Sequence, residues 1–281
     1  MPGWKVVLVS QVLPAVLGFD AGLRAAGHEA VALLTTRRDP ADRDRYPMFE
    51  ELIAGAPPHL DVVIPHHRTG IAPLLAAYEP DLVLCNGFPW RIPGEALAIP
   101  RLGLVNGHPS LLPRWRGPSP VAWAMRAGDE ELGFTFHRMD EDFDTGPVLA
   151  QGSVPLEDHD DGWDTLGDKV GPLAFGLMQR VLERLEAGDP GDPQTGESSY
   201  APFFGDDYVP LDWNRPAREV HNQVRAWRFM PFEPAGGVRG PIAELGGRPV
   251  RVLRTRLVPG EGERVDCADG PIWVLESEAV A

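Results

Sequence analysis

The chain has 281 residues, of which 43% are hydrophobic and 24% charged, which is typical of folded globular domains and excludes a largely disordered protein. Its formal net charge is −15: residues 1–207 hold 16 basic and 31 acidic side chains, residues 208–281 hold ten of each, and neither region offers the surplus of cations that binding to a nucleic-acid backbone needs. No apolar run approaches the roughly 18 residues of a membrane span, the first residues lack the layout of a signal peptide, and two cysteines are too few for a disulfide framework, so we expect a cytoplasmic protein that does not contact membranes.

Apolar runs and helical patterns alternate along the first part of the chain. The run WKVVLVS (4–10) predicts a strand that is covered on both faces, and the helical pattern that follows ends at Gly27, a typical C-terminal cap. Further strands are predicted over 28–36, 60–65, 81–87 and 101–110, with a short helix between the third and fourth strands. This alternation predicts an α/β fold with a mostly parallel, Rossmann-like sheet.

Two nucleotide-binding motifs are absent from the sequence. The turn after the first strand, VSQVLPAVLGF, contains no G-x-G-x-x-G, and no G-x-x-x-x-G-K-[ST] loop occurs anywhere in the chain. We therefore do not expect NAD(P) or ATP as a ligand.

The pattern of strands and helices continues to residue 187 and changes beyond the connector that follows. A strand over 134–139 leads into the acidic loop DEDFDTGP (140–147), and apolar spacing predicts a helix over 163–187. The Pro- and Gly-rich stretch 188–199 is typical of a connector. Beyond it, a helix over 217–227 and short antiparallel strands within 241–258 and 270–277 predict a small β domain. We expect a main domain over 1–187, a linker over 188–207 and the small domain over 208–281.

The stretch NGHPSLLPRWRG (106–117) contains the clearest candidates for catalytic side chains. In a strand, side chains two residues apart share a face, so Asn106 and His108 would project together at the carboxyl end of a strand, where ligand clefts of open α/β sheets lie. An amide can donate to a developing oxyanion, and an imidazole can carry protons near neutral pH. Asp144 is one candidate to orient the imidazole, and spacing alone does not select it over Asp140, Glu141 or Asp142.

NGHPSLLPRWRG, followed by MDEDFDTGPVL, resembles the signature of the formyltetrahydrofolate-dependent formyltransferases. That family includes methionyl-tRNA, glycinamide-ribonucleotide and sugar-amine formyltransferases and related hydrolases. The resemblance covers residues 4–200 and extends more weakly over 208–258, where LDWNRPAREVHNQVRAW is similar to the start of the barrel domain of the tRNA enzymes. It implies a Rossmann-like formyltransferase domain followed by a shortened C-terminal β domain, barrel-like and of OB type.

The resemblance also implies the residues of the site. Asn106, His108 and Asp144 fall on the catalytic positions of the family, where the amide and a protonated imidazole would stabilise a tetrahedral intermediate. The donor would be 10-formyltetrahydrofolate, and no metal ion would be needed. Phe88 and Trp90 could equally be core residues. The positions implied to bind the folate are Phe88, Trp90, Ile92, Ser110, Leu111, Leu112, Pro113, Asp140 and Asp142.

The formyl acceptor remains open at this stage. A small-molecule amine is favoured, because residues 208–281 are neutral and shorter than the usual barrel, and because the loop TTRRDPADRDRYP (35–47) has four arginines against three aspartates. Initiator tRNA is the alternative, so nucleic acid is a possible but less favoured partner. A hydrolase would be expected to carry an additional N-terminal domain, whereas the first strand begins at residue 4. A non-catalytic folate-binding module would be expected to lack one of the three catalytic residues. His137, Arg114 and Arg116 could face the acceptor, and Arg116 could equally brace its loop.

Overall fold

The structure is a computed structural model and describes residues 3–36, 47–230 and 240–280. Most of the mixed-charge loop after the second strand, residues 37–46, lies outside the described residues. The chain forms two compact units, Met1–Arg116 with Gly133–Gly152 and Gly171–Ser198, and Gly117–Leu132 with Ser153–Val170 and Ser199–Ala281. Each unit is discontinuous along the chain, and residues 188–198 belong to the first one. The simple division at 187 and 208 stays a prediction.

A seven-stranded sheet is the framework of the first unit. Its strands stand in the order β3-β2-β1-β4-β5-β6-β7, and the pairs β1–β2, β2–β3, β1–β4 and β4–β5 are parallel whereas β5–β6 is antiparallel. The expectation of a mostly parallel, Rossmann-like sheet is confirmed. The strands are β1 (Lys5–Ser10), β2 (Glu29–Leu34), β3 (Asp61–Val63), β4 (Leu82–Asn86), β5 (Leu104–His108), β6 (Glu131–Arg138) and β7 (Val148–Pro155).

The apolar strand runs are buried because helices cover them. Val6 to Val9 of β1 are at most 1% exposed, as expected for a strand with both faces in the core. The predicted cap after the first helix is present, since Gly27 has a φ of 80°, a left-handed conformation that glycine adopts without strain. None of the helices in the described ranges combines the length and the apolar character that a bilayer span requires. The helices are α1 (Leu13–Ala25), α2 (Pro47–Gly55), α3 (Ile71–Tyr78), α4 (Gly94–Leu97), α5 (Pro120–Ala127), α6 (Trp163–Glu186) and α7 (Ala217–Arg228).

The second unit contains α5, α7 and a four-stranded antiparallel sheet of order β10-β11-β9-β8. Its strands are β8 (Ile242–Leu245), β9 (Arg248–Arg256), β10 (Glu263–Asp266) and β11 (Pro271–Ala279). Apolar side chains of α7 and of the sheet, such as Val220, Val252 and Ile272, form a separate core. The predicted helix and small β domain are thus confirmed, while β10 was not foreseen because its sequence ERVD is polar.

His221 of α7 gives this second unit a predictable sensitivity to acid. Its Nδ1 lies 2.9 Å from Oγ1 of Thr255, its Nε2 lies 3.0 Å from the carbonyl oxygen of Asp158, and burial, followed by the charge of Arg225, lowers the pKa of His221 to about 4. The unfolded chain protonates near pH 6.5, so this contribution to stability is present above that pH and is lost as the pH falls towards 4. We expect the free energy of unfolding to fall by about 3 kcal/mol over that range through this residue.

Denaturant unfolding at a series of pH values measures this effect, with His221→Gln as the comparison because glutamine does not titrate. The variant should lose less stability between pH 6.5 and 4 than the wild-type protein. Parallel losses in the two proteins would show that His221 does not carry the acid sensitivity.

Candidate active site

The carboxyl end of β5 places Asn106 and His108 on one face, as the strand period predicts. In the antiparallel pairing with β6, Asn106 stands opposite His137 and His108 stands opposite Thr135. Gly107 between them has a steric reason, because a Cβ atom there would lie 3.0 Å from the Cζ atom of Phe134. The β5–β6 pair therefore brings one amide and two imidazoles to the same region of the sheet.

Asp144 is the acidic residue of the loop after β6 that reaches this cluster. Its Oδ1 lies 3.6 Å from Nδ1 of His108, 3.6 Å from Nε2 of His137 and 3.4 Å from Nδ2 of Asn106. Only 9% of Asp144 is exposed, so the carboxylate interacts with these groups with little screening by water. The structure thus brings Asn106, His108 and Asp144 together, with His137 as a fourth member.

The hydrogen bonds of His108 define its tautomer. Its Nε2 lies 2.8 Å from the carbonyl oxygen of Trp115, and because a carbonyl only accepts, Nε2 carries the hydrogen. Burial lowers the pKa of His108, an effect that Asp144 and the Trp115 carbonyl partly offset. In the free protein the ring is therefore neutral near pH 7, with the lone pair of Nδ1 on the side of Asp144. The resemblance implied a protonated ring during the reaction, so a proton has to reach Nδ1 in the course of it.

His137 fixes the orientation of the Asn106 amide. Nδ1 of His137 donates to the carbonyl oxygen of Arg138 at 2.9 Å, which leaves Nε2 to accept from Nδ2 of Asn106 at 3.2 Å. The same Nδ2 is near Asp144, so both N–H groups of the amide point into the cluster. The sequence suggested His137 only as a possible contact to the acceptor. Its position opposite Asn106 could have been found from the antiparallel register of β6.

The loop predicted to close over the folate is held by a compact polar network. Ser110 is 1% exposed, its hydroxyl donates to the carbonyl oxygen of Arg114 at 2.7 Å, and its own carbonyl accepts from Thr135 at 2.6 Å. Gln151 of β7 donates to the carbonyl oxygen of Leu112 at 3.0 Å. Leu112 and Pro113 are buried, and Leu111 is half-buried. The loop is thus anchored on β6 and β7, and its role towards a folate stays a prediction.

The other predicted folate-binding residues occupy two further segments. Phe88 and Trp90 follow β4 and contact each other edge to face at 6.0 Å, both partly buried against the core, while Ile92 is 4% exposed within the core. Asp140 and Asp142 are exposed. Asp140 accepts from the Thr145 hydroxyl at 2.7 Å, and Asp142 pairs with Arg91 at 3.1 Å. Both carboxylates are exposed and paired with these residues, whereas the Asp144 carboxylate is buried beside Asn106 and His108.

The basic residues of the loop after β5 also have defined positions. The Arg114 guanidinium lies 4.4 Å from the ring centroid of Trp115. Arg116 donates to Oε1 of Gln194 from Nη2 at 2.6 Å and from Nε at 3.1 Å. Of the two roles considered for Arg116, this contact favours the brace. Gln194 lies in the stretch predicted as a connector, and no sequence pattern there indicated a functional role for it.

This chain is similar to several known formyltransferases. The family model described as formyl transferase matches residues 18–182. The methionyl-tRNA formyltransferase of Pelobacter propionicus is 31% identical over 267 residues, 89% of this chain and 81% of the relative. The GDP-perosamine N-formyltransferase of Brucella melitensis is 37% identical over 164 residues, 57% of this chain and 61% of the relative. The structure of WlaRD, a sugar 3N-formyl transferase in the presence of dTDP and 5-N-formyl-THF, superposes on this chain with a TM-score of 0.67. The match covers 99% of this chain and 98% of WlaRD at 18% sequence identity, which shows that the two proteins share a fold.

Proposed function

Since this chain belongs to the formyl transferase family and is a formyl-transferring enzyme, we propose that it moves a formyl group from 10-formyltetrahydrofolate to the amine of a small molecule. The observation that carries this proposal is the cluster of half-buried Asn106 with buried His108 and Asp144. The amide nitrogen of Asn106 and Nδ1 of the neutral His108 imidazole lie 3.4 and 3.6 Å from the same carboxylate oxygen of Asp144, a set of groups suited to acyl transfer. Folate binding is supported by the sugar 3N-formyl transferase WlaRD, whose structure is of the protein in the presence of 5-N-formyl-THF.

The reaction begins with attack of the neutral amine nitrogen on the formyl carbon. A carbon–nitrogen bond forms, and the electron pair of the carbonyl moves to the formyl oxygen. Asn106 donates a hydrogen bond to this oxyanion with the N–H that faces Asp144 at 3.4 Å in the free protein, the weaker of its two contacts. His137 keeps the amide turned so that a donor, and not its oxygen, meets the developing charge.

A proton must then pass from the acceptor nitrogen to the leaving nitrogen of the folate. His108 takes it up at Nδ1, the ring nitrogen with a lone pair, while Nε2–H stays on the Trp115 carbonyl. The Asp144 carboxylate, 3.6 Å away, stabilises the imidazolium that forms. His108 returns the proton to the folate nitrogen as the old carbon–nitrogen bond breaks, which leaves the formylated amine and tetrahydrofolate.

The contribution of Asn106 as donor to the oxyanion can be measured by removing its amide. Asn106→Ala should lower kcat by about 10²–10³-fold with little change in the KM for 10-formyltetrahydrofolate, because the lost hydrogen bond is made mainly in the transition state. Steady-state kinetics of tetrahydrofolate release give both constants. An equal loss through KM alone would mean that Asn106 binds the donor and does not stabilise the oxyanion.

The charge of the chain favours a small acceptor. With 26 basic and 41 acidic residues and a neutral segment 208–281, the chain lacks the excess of cations with which proteins neutralise phosphates of a large nucleic acid. The Brucella relative is named as acting on an amino sugar, which supports this acceptor class.

Methionyl-tRNA formylation is the second candidate. It is favoured by the relative from Pelobacter propionicus, which matches this chain over 81% of its own length. A local patch of arginines could bind tRNA even on an acidic protein, and Arg37, Arg38, Arg43 and Arg45 lie outside the described residues.

One kinetic comparison separates the two candidates. Tetrahydrofolate release is followed with 10-formyltetrahydrofolate as donor and with a nucleotide-linked amino sugar, free amino acids, a hydroxylamine or methionyl initiator tRNA as acceptor. We expect the highest kcat/KM for one of the small amines. A higher value for the charged tRNA would overturn the small-amine assignment and leave formyl transfer itself intact.

A further inference from the structure

Gln194 connects the two loops that hold His108 and Asp144. We propose that Gln194 is a positioning residue for the transfer reaction, whose carboxamide sets the distance between the Asp144 carboxylate and the His108 imidazole. This inference rests on the proposed function for its catalytic consequence. The contacts of Gln194 from which it is argued all lie within the first unit.

One side of the carboxamide fixes the loop that carries Asp144. Nε2 of Gln194 donates to the carbonyl oxygens of Asp144 and Gly146, each at 2.9 Å. Asp144 has a φ of 57°, a left-handed conformation that is costly for a residue with a side chain and that persists only when its surroundings hold it. Two hydrogen bonds to the main chain, at Asp144 and two residues beyond it, supply that constraint.

The other side of the carboxamide fixes the loop that follows β5. Oε1 of Gln194 accepts from Nε and Nη2 of Arg116. Arg116 directly follows Trp115, which also has a φ of 57° and whose carbonyl holds Nε2–H of His108. Gln194 therefore acts on both ends of the His108–Asp144 pair through the main chain of each loop.

The chemistry of these partners requires a group that both donates and accepts. A guanidinium has only donors and a carbonyl only accepts, so the amide orientation of Gln194 follows from its neighbours. Glutamate would lack the donor for the carbonyls of Asp144 and Gly146, and methionine, of similar length, would lack both functions. Glutamine satisfies the two loops with one side chain.

The segment that carries Gln194 is itself anchored to the first unit. Asp192 forms a bridge with Val148, with main-chain distances of 2.7 and 2.8 Å. Arg138 of β6 donates to the carbonyl oxygens of Asp189 and Pro190 at 2.7 and 3.0 Å. Because the segment is attached to β6 and β7, the position of Gln194 is set by the sheet that also carries the catalytic residues.

The first test of Gln194 needs no acceptor. Protein labelled with ¹³C at histidine Cε1 is titrated by NMR as wild type, as Gln194→Met and as Thr195→Ala, a control at the exposed next residue, with the His108 signal assigned from His108→Gln. The groups that face His108 are Asp144 from its loop and His137 from β6. In Gln194→Met the carboxylate moves away, so the pKa of His108 should fall by about one unit, while the control titrates as wild type.

The second readout is catalytic. With the acceptor on which the wild-type enzyme is most active, Gln194→Met should lower kcat on the order of 10²-fold while the KM for 10-formyltetrahydrofolate stays unchanged. Gln194→Glu, which keeps the acceptor for Arg116, should lower kcat as well and serves if the methionine variant unfolds. An unchanged His108 titration or an unchanged kcat in a folded variant overturns the inference. If the wild-type enzyme formylates no acceptor, the proposed function fails, and the titration still decides whether Gln194 positions Asp144.

Discussion

Replacing Asp144 with asparagine is expected to lower kcat by about 10³-fold, because the amide cannot stabilise an imidazolium at His108. Opposite unit charges about 4 Å apart attract each other by about 4 kcal/mol at the effective dielectric of a protein, and each 1.4 kcal/mol corresponds to about a tenfold change in rate. Both side chains are at most 9% exposed, so water does little to weaken this attraction. Single-turnover kinetics with the wild-type acceptor measure the effect.

The matched control for Asp144→Asn is Glu197→Gln, which removes the same charge from an exposed position of the first unit. The control should retain the wild-type rate. A modest effect of Asp144→Asn, similar to that of the control, would mean that the proton on His108 is stabilised by another group.

His108→Gln is expected to reduce transfer by about 10³-fold as well, because general acid–base catalysis contributes about 10²–10⁴-fold. Glutamine can still donate to the Trp115 carbonyl and fill much of the space of the ring, so the loop should keep its place. It cannot take up a proton at the position of Nδ1. We expect tetrahydrofolate binding, measured by calorimetry, to persist while transfer is lost.

Asp144→Asn and His108→Gln also test whether the two residues act as a unit. If they share one proton-transfer step, the double variant should be about as slow as either single variant, because effects within a catalytic unit are far from additive. Rate losses that multiply would contradict a shared step and would assign the residues to separate functions.

The central part of the site could be predicted because it depends on local periodicity. Asn106 and His108 are two residues apart at the end of an apolar run, so a strand necessarily puts them on one face. The sequence could not choose among Asp140, Glu141, Asp142 and Asp144 by spacing. The choice depends on the left-handed turn at Asp144, which a non-glycine residue rarely adopts and which its sequence context does not signal.

Residues whose role depends on tertiary contacts could not be predicted from the sequence. Gln194 lies 50 residues after Asp144 in a segment whose Pro- and Gly-rich composition is typical of a connector. Its importance comes from the bridge to Val148 and from the contact with Arg116, both of which are tertiary. Helix α5 was likewise not predicted, although its eight residues equal the length of the predicted helix α3.

The fate of a labelled formyl group shows whether the enzyme transfers it to a small amine. 10-[¹³C]formyltetrahydrofolate is incubated with the enzyme, with and without the panel of small amines, and the products are identified by NMR and mass spectrometry. We expect the label to become a formamide on one small amine, this product to be lost with Asp144→Asn, and little label to be released without an amine. Rapid release of [¹³C]formate in the absence of any amine would contradict transfer to an amine, because water would then be the acceptor and the protein a hydrolase.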